Sequence, residues 1–178
     1  GGRSAGLIRL SGHIKEFAKL PGSTIQQNFQ FFCLHERNSN LTLIIMKKIL
    51  LVDDDILTMK PLVDDLQVSY GFEVVHLISL ENVIETLKGS RFDIMILDIM
   101  MPIPFDWTFD EIRRSSEGMS TGEVFYEKIR LAFPKLPILI YSAKEMIPFS
   151  DKNTIILRKP EFPSEIVNRI NKLTNHEN

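Results

Sequence analysis

From Lys47 onward, short and mostly apolar runs alternate with stretches in which apolar residues recur every three or four. "ILLV" (49–52), "EVVHLI" (73–78), "IMIL" (94–97), "ILIY" (138–141) and "TIIL" (154–157) are short and β-rich. They are apolar on both faces, as strands covered by helices on each side must be. Between them the helical period runs through Met59, Leu62, Val63 and Leu66; through Leu80, Val83, Ile84 and Leu87 behind the cap candidate Ser79; through Val124, Phe125, Ile129 and Ala132 behind Thr121; and through Ile166, Val167, Ile170 and Leu173 behind Pro163. Strand and helix alternate, which predicts an α/β domain with a parallel sheet. Pro61 is tolerated if its helix begins near Thr58, because the first turn needs no N–H there.

Residues 1–45 follow another pattern. They hold scattered glycines, a Pro-Gly pair at 21–22 and the polar run "HERNSN"; only "GLIRLSGHIKEFAKL" has helical spacing, through Leu7, Leu10, Ile14 and Ala18, and Gly12 interrupts it. A basic amphipathic helix is one reading and disorder, which the composition favours, is the other. "MKKILLVDDD" resembles a natural start, so residues 1–45 are expected to be disordered or upstream of the evolved protein, and residues 46–178 to be the domain.

Charge and cysteine content narrow the class. The 178-residue chain has a net charge of −2, with five Lys/Arg against two Glu in residues 1–45, so residues 46–178 carry −5. Nothing in that balance asks for nucleic acid. The single cysteine, Cys33, excludes an internal disulfide framework and fits a reducing compartment, here the cytoplasm. Apolar runs such as Leu43 to Met46 are too short to span a bilayer.

Ligand-facing residues of such a sheet gather at the carboxyl ends of its strands. "ILLV" runs into Asp53, Asp54 and Asp55, and "IMIL" runs into Asp98. Carboxylates packed this closely repel one another unless a cation sits among them, and an all-oxygen set suits Mg²⁺. "YSA" places Ser142 at the same edge, and "RKP" places Lys159 there. Acids, a hydroxyl and a lysine around a metal are the groups phosphoryl transfer needs. Taken alone, Asp53 to Asp55 also reads as an acidic turn capping the next helix, and Lys159 as a surface lysine.

In order, "KILLVDDD", "FDIMILDIMMP", "PILIYSA" and "ILRKP" resemble the receiver domain of two-component response regulators over about residues 46–175. The resemblance implies a doubly wound five-stranded parallel sheet of order 2-1-3-4-5. It implies that Asp98 accepts a phosphoryl group from a histidine kinase, a histidine phosphotransfer protein or a small phosphodonor. Asp53, Asp54 and Asp98 would hold Mg²⁺ together with the backbone carbonyl of Met100. Lys159 would pair with the phosphate, Ser142 would hydrogen-bond it, and Pro160 would follow a cis bond. Asp55 is expected to belong to the helix start, where negative charge is favoured, and not to the ligands. A haloacid-dehalogenase-type phosphatase would want a second Asp two residues after the first, where this chain has Met100.

Two departures stand out. Eighteen residues, 103–120, separate "MMP" from "TG" where receivers need only a few, and this insert carries Phe105, Trp107 and Phe109 among Asp106, Asp110, Glu111, Arg113 and Arg114. A lid over Asp98, a partner surface and a loop patching the domain's own surface are all open. Only 16 residues lie between Ser142 and Lys159, so the fourth helix is expected to be short or absent. Ile156 stands where receivers usually carry an aromatic switch residue. The whole reads as a phosphorylation-dependent switch, not a conventional enzyme, that promotes its own phosphorylation and dephosphorylation. Its output would be contact with a downstream protein, as a monomer or weak dimer, without direct nucleic-acid or membrane binding. A receiver-like interaction module that is never phosphorylated is the alternative.

Overall fold

The computed structural model describes residues 6–10, 13–17, 33–37, 40–44, 46–145, 147 and 151–175. Two compact units divide between residues 31 and 32. In the first, β1 (Gly6–Leu10) pairs antiparallel with β2 (His13–Phe17), Leu10 lying opposite His13. The helical spacing at Leu7, Leu10 and Ile14 is therefore not realised as a helix; Ala18 lies outside the described residues. In the second unit β3 (Cys33–Arg37) and β4 (Asn40–Ile44) form another antiparallel hairpin.

The rest of the second unit is a five-stranded parallel sheet. Its strands are β5 (Lys48–Val52), β6 (Glu73–Leu77), β7 (Ile94–Leu97), β8 (Ile138–Ser142) and β9 (Thr154–Arg158), in the order β6-β5-β7-β8-β9, which is the expected 2-1-3-4-5. Alternation along the strands sorts their side chains between two apolar layers. Leu50, Val52, Met95, Leu97, Ile138 and Ile140 pack on α2 (Val83–Gly89) and α4 (Thr121–Ala132). Ile49, Leu51, Ile94, Ile96, Leu139 and Tyr141 pack on α1 (Ile56–Val68) and α5 (Pro163–Thr174). Burial on both faces is why the runs of the central strands β5, β7 and β8 show no polar alternation, whereas the edge strands β6 and β9 keep partly exposed positions.

Helix starts differ from the sequence expectation in three places. Helix α1 begins at Ile56, capped by Asp55, so Pro61 lies inside the helix and past its first turn; the Leu57 carbonyl then has no proline N–H to accept, and Leu57 itself is exposed. Helix α2 begins at Val83 behind Asn82, not behind Ser79. Helix α4 is preceded by Ser120, which puts Thr121 in its first turn. Between β8 and β9 no helix occurs among the described residues, as the short segment implies; residues 146 and 148–150 lie outside them. An aromatic and ionic clamp ties that connection to α4 instead. Tyr126 hydrogen-bonds Asp151 and Thr154, and Arg130 donates to Asp151 at 2.8 Å and to the Leu136 carbonyl at 2.5 Å.

The insert also folds against α4. It contains α3 (Phe109–Arg114), opened by a capping box in which Thr108 and Glu111 satisfy each other's backbone N–H groups. Trp107 is buried at 8% exposure, with the Lys128 ammonium 4.8 Å from its ring centre. Glu111 pairs with Lys128 and Arg114 with Glu127, each at 2.5 Å. Phe105 and Phe109 remain exposed.

Candidate phosphoacceptor site

Register assembles the site. Leu77, Val52, Leu97 and Ile140 lie opposite one another across four strands, so Asp53 and Asp98, one residue further along, stand on adjacent strands that run ~4.8 Å apart. The ladder continues into them, Asp53 N–H donating to the Leu77 carbonyl and Asp98 N–H to the Val52 carbonyl, both at 3.0 Å. Both side chains are buried, whereas Asp54 is exposed. Carboxylate oxygens of Asp53, Asp54 and Asp98 all lie within 4.8 Å of one another. Three oxygen donors at that spacing fit a hard divalent cation.

Lys159 closes the cluster. Its Nζ is 2.6 Å from Asp53 Oδ2 and 2.6 Å from Asp98 Oδ2. The repulsion expected between these acids is thus offset by an internal ammonium. Burial pulls the Lys159 pKa down, but the two carboxylates outweigh it and hold the group above its usual value. Burial pushes the Asp53 carboxyl up; the Lys159 ammonium and the Asp55 amide oppose this in part, and the Asp98 charge adds to it only slightly. The Lys159–Pro160 bond is cis, and the Lys159 N–H donates to the Ser142 carbonyl at 2.9 Å.

The remaining oxygen of Asp98 is held from its own turn. Oδ1 accepts from the N–H of Ile99 at 2.6 Å and of Met100 at 3.1 Å, which fixes the side chain at the strand end. Met100 is partly exposed beside it. Ser142, at the end of β8, is fully buried and its Oγ accepts from the Lys144 N–H at 3.4 Å. Asp55 stands apart from the cluster. It caps α1 by accepting from the Thr58 N–H at 3.1 Å, which lowers its pKa, so its place is the expected one at the helix start.

Three participants, His76, Tyr141 and Gly122, escape the sequence reading, and the partners of Lys144 emerge only in the fold. His76 Nε2 lies 2.8 Å from the Asp53 carbonyl, to which it donates. Tyr141 lies beneath Lys159, whose Nζ is 5.5 Å from its ring centre. Lys144 reaches Ser120 Oγ and Glu123 Oε1, each at 2.5 Å. Gly122 donates to the Ile99 carbonyl at 2.9 Å, and a Cβ there would lie 2.6 Å from Ile99 Cα, so α4 abuts the backbone of the strand end. Of His76, Tyr141 and Gly122, only Gly122 leaves a sequence trace, the "TG" that opens the helix.

Solved structures share this architecture. A response regulator receiver protein from Sinorhizobium medicae aligns over 75% of this chain and 98% of its own, at 23% identity and a TM-score of 0.54. A Francisella response regulator receiver domain aligns over 74% and 99%, at 17% identity and 0.57. This is the receiver fold. Its sheet order, β6-β5-β7-β8-β9, is that of the receiver fold. No protein-family model matches the sequence, and no curated protein does. The receiver domain of a sensor histidine kinase from Pseudomonas aeruginosa, 16% identical with a TM-score of 0.50 over 73% of this chain and 98% of its own, was solved with a magnesium ion coordinated in its active site cleft. Among the described residues no helix is long and apolar enough to cross a membrane.

Proposed function

We propose that residues 46–178 form a phosphorylation-dependent switch of a two-component system, with Asp98 as phosphoacceptor. The observation that carries this is the Lys159 ammonium bridging Asp53 and Asp98 at 2.6 Å each, within a cluster of three carboxylates. A buried lysine shared between two acids is already aligned to pair with negative charge added at either one. The donor would be a histidine kinase or histidine phosphotransfer protein. An Asp98 oxygen attacks phosphorus, the P–N bond of the phosphohistidine breaks, and the imidazole nitrogen keeps the electron pair and takes a proton. Asp53, Asp54, Asp98 and the Met100 carbonyl would hold Mg²⁺, which neutralises charge on the transferring group. Lys159 then pairs with a phosphoryl oxygen, and the Ser142 hydroxyl turns to donate to another. Hydrolysis returns the carboxylate, so turnover is self-directed and the domain is not an enzyme toward other substrates.

The output in this reading is contact with a downstream protein in the cytoplasm. The reading of the domain as an unphosphorylated interaction module rests on Ile156, half exposed on β9 where receivers carry their aromatic switch, and on the short connection between β8 and β9. Incubation with acetyl phosphate and Mg²⁺ followed by intact mass separates the two. One phosphoryl increment, lost in Asp98→Ala and kept in Asp55→Ala, is the expected result. An unmodified parent, or a modified Asp98→Ala, would sink the switch.

A further inference from the structure

Lysine has four side-chain torsions and loses much rotamer entropy when held in one place, so a lysine shared by two carboxylates needs restraint from something besides them. That restraint comes from Tyr141. Its side chain is 5% exposed on β8, one residue before Ser142, and it contacts the segment around Lys159 twice. The Lys159 ammonium lies over its ring, 5.5 Å from the centre, and its hydroxyl accepts from the Glu161 N–H at 3.1 Å. With the Lys159 N–H on the Ser142 carbonyl at 2.9 Å, consecutive β8 residues grip the chain on both sides of the Lys159–Pro160 bond.

We propose that Tyr141 is a positioning residue for Lys159, holding the ammonium over the carboxylate edge and anchoring the turn that presents it. The proposal rests on the phosphoacceptor reading above. A ring at this position also fills the layer between the sheet and α1 and α5, where it packs with Ile49, Leu51 and Ile166. Packing alone, however, would be served by a leucine, which could neither attract an ammonium nor pair the Glu161 N–H. The ring face attracts the cation more strongly because the site is largely desolvated. When a phosphoryl group on Asp98 draws Lys159 away from Asp53, this face keeps the ammonium within reach of the new charge and out of bulk water.

The test uses beryllofluoride with Mg²⁺ as the phosphoryl probe and reads its apparent affinity by fluorine NMR. The parent, Tyr141→Leu and Tyr141→Phe are compared, each also combined with Lys159→Ala, and melts verify folding. Tyr141→Leu should weaken binding about tenfold, the order that a partly buried cation–π contact supplies. Tyr141→Phe keeps the ring and loses one hydrogen bond, and should weaken it about threefold. In the Lys159→Ala background neither change should add a loss, because Tyr141 acts through Lys159. Parent-like binding by Tyr141→Leu, or the same loss with and without Lys159, overturns the proposal. If Tyr141→Leu fails to fold, Tyr141→Phe decides by the same cycle. A parent that binds no beryllofluoride overturns the phosphoacceptor reading itself and takes this proposal with it.

Discussion

The Lys144 ammonium lies 2.5 Å from the Glu123 carboxylate, and this pair joins the loop after β8 to the first turn of α4. The same ammonium donates to Ser120 Oγ at 2.5 Å. Both partners are largely buried, with side-chain exposures of 24% and 19%. Lys144 is two residues past Ser142, so the latch restrains the loop that follows the residue proposed to hydrogen-bond a phosphoryl group. Glu123→Ala leaves a half-buried ammonium with one neutral partner and should lower stability by ~1–2 kcal/mol. By loosening the loop it should admit water and shorten the lifetime of phosphorylated Asp98. Denaturant melts and the decay of the phosphorylated mass measure the two effects. An unchanged lifetime with lowered stability would leave the latch purely structural.

Metal dependence tests the carboxylate cluster. Repulsion among Asp53, Asp54 and Asp98 alone would make Asp98→Asn melt above the parent in EDTA. Because Lys159 bridges two of the three acids, the two proteins should instead melt close together there. Mg²⁺ binds only the folded site and should raise the parent more, by roughly 2.7 kcal/mol at a hundredfold excess over Kd. Equal shifts in both proteins, or none, would mean that these acids do not share a metal.

Acid pH should release the insert from α4. The Lys128 ammonium, together with the Thr108 N–H and hydroxyl, lowers the Glu111 carboxyl from 4.5 to about 2. A depressed carboxyl contributes stability that is present above its unfolded value and is lost as pH falls through the folded one. The window therefore runs from 4.5 down to about 2. Trp107 reports it, since Lys128 lies over its ring and the chain has no other tryptophan. Its fluorescence should shift as pH falls through that window, and in Glu111→Gln the shift should already be present at neutral pH. A parent spectrum flat across the window would separate Glu111 from the packing of Trp107.

Gly122 faces the backbone at the end of the strand that carries Asp98, with no space for a side chain. Gly122→Ala must push α4 away from Ile99 and should cost ~1–3 kcal/mol, the usual penalty of overpacking. Since Ile99 N–H holds Asp98 Oδ1, the shift should also slow phosphorylation by acetyl phosphate. Gly71→Ala is the control for a substituted glycine, because nothing lies near a Cβ there and its φ of +70° confines the cost to backbone strain. Gly122→Ala with parent stability and rate would show that α4 yields without disturbing the strand.

Local pattern decided a great deal in this chain. Apolar runs buried on both faces, broken by helical periods, determine a parallel α/β sheet, and "LLVDDD", "ILDIMMP", "YSA" and "RKP" place Asp53, Asp54, Asp98, Ser142 and Lys159 at its carboxyl edge, because strand ends and turn chemistry are written in consecutive residues. Helix starts were less legible. Asp55 and Ser120 compete with neighbouring Thr58 and Thr121 as caps, and only the path of the incoming chain selects one. Trp107 lies in a polar insert yet is buried in the apolar layer that includes Val124, Phe125 and Ile129 of α4, and Lys128, 21 residues later, lies over its ring. The same holds at the site. That Lys159 bridges Asp53 and Asp98, that Tyr141 lies beneath it and that Lys144 is latched to Glu123 are consequences of strand register and helix placement. Such contacts join residues from 18 to 106 positions apart, and no local preference of the chain encodes which distant charge or ring will complete each one.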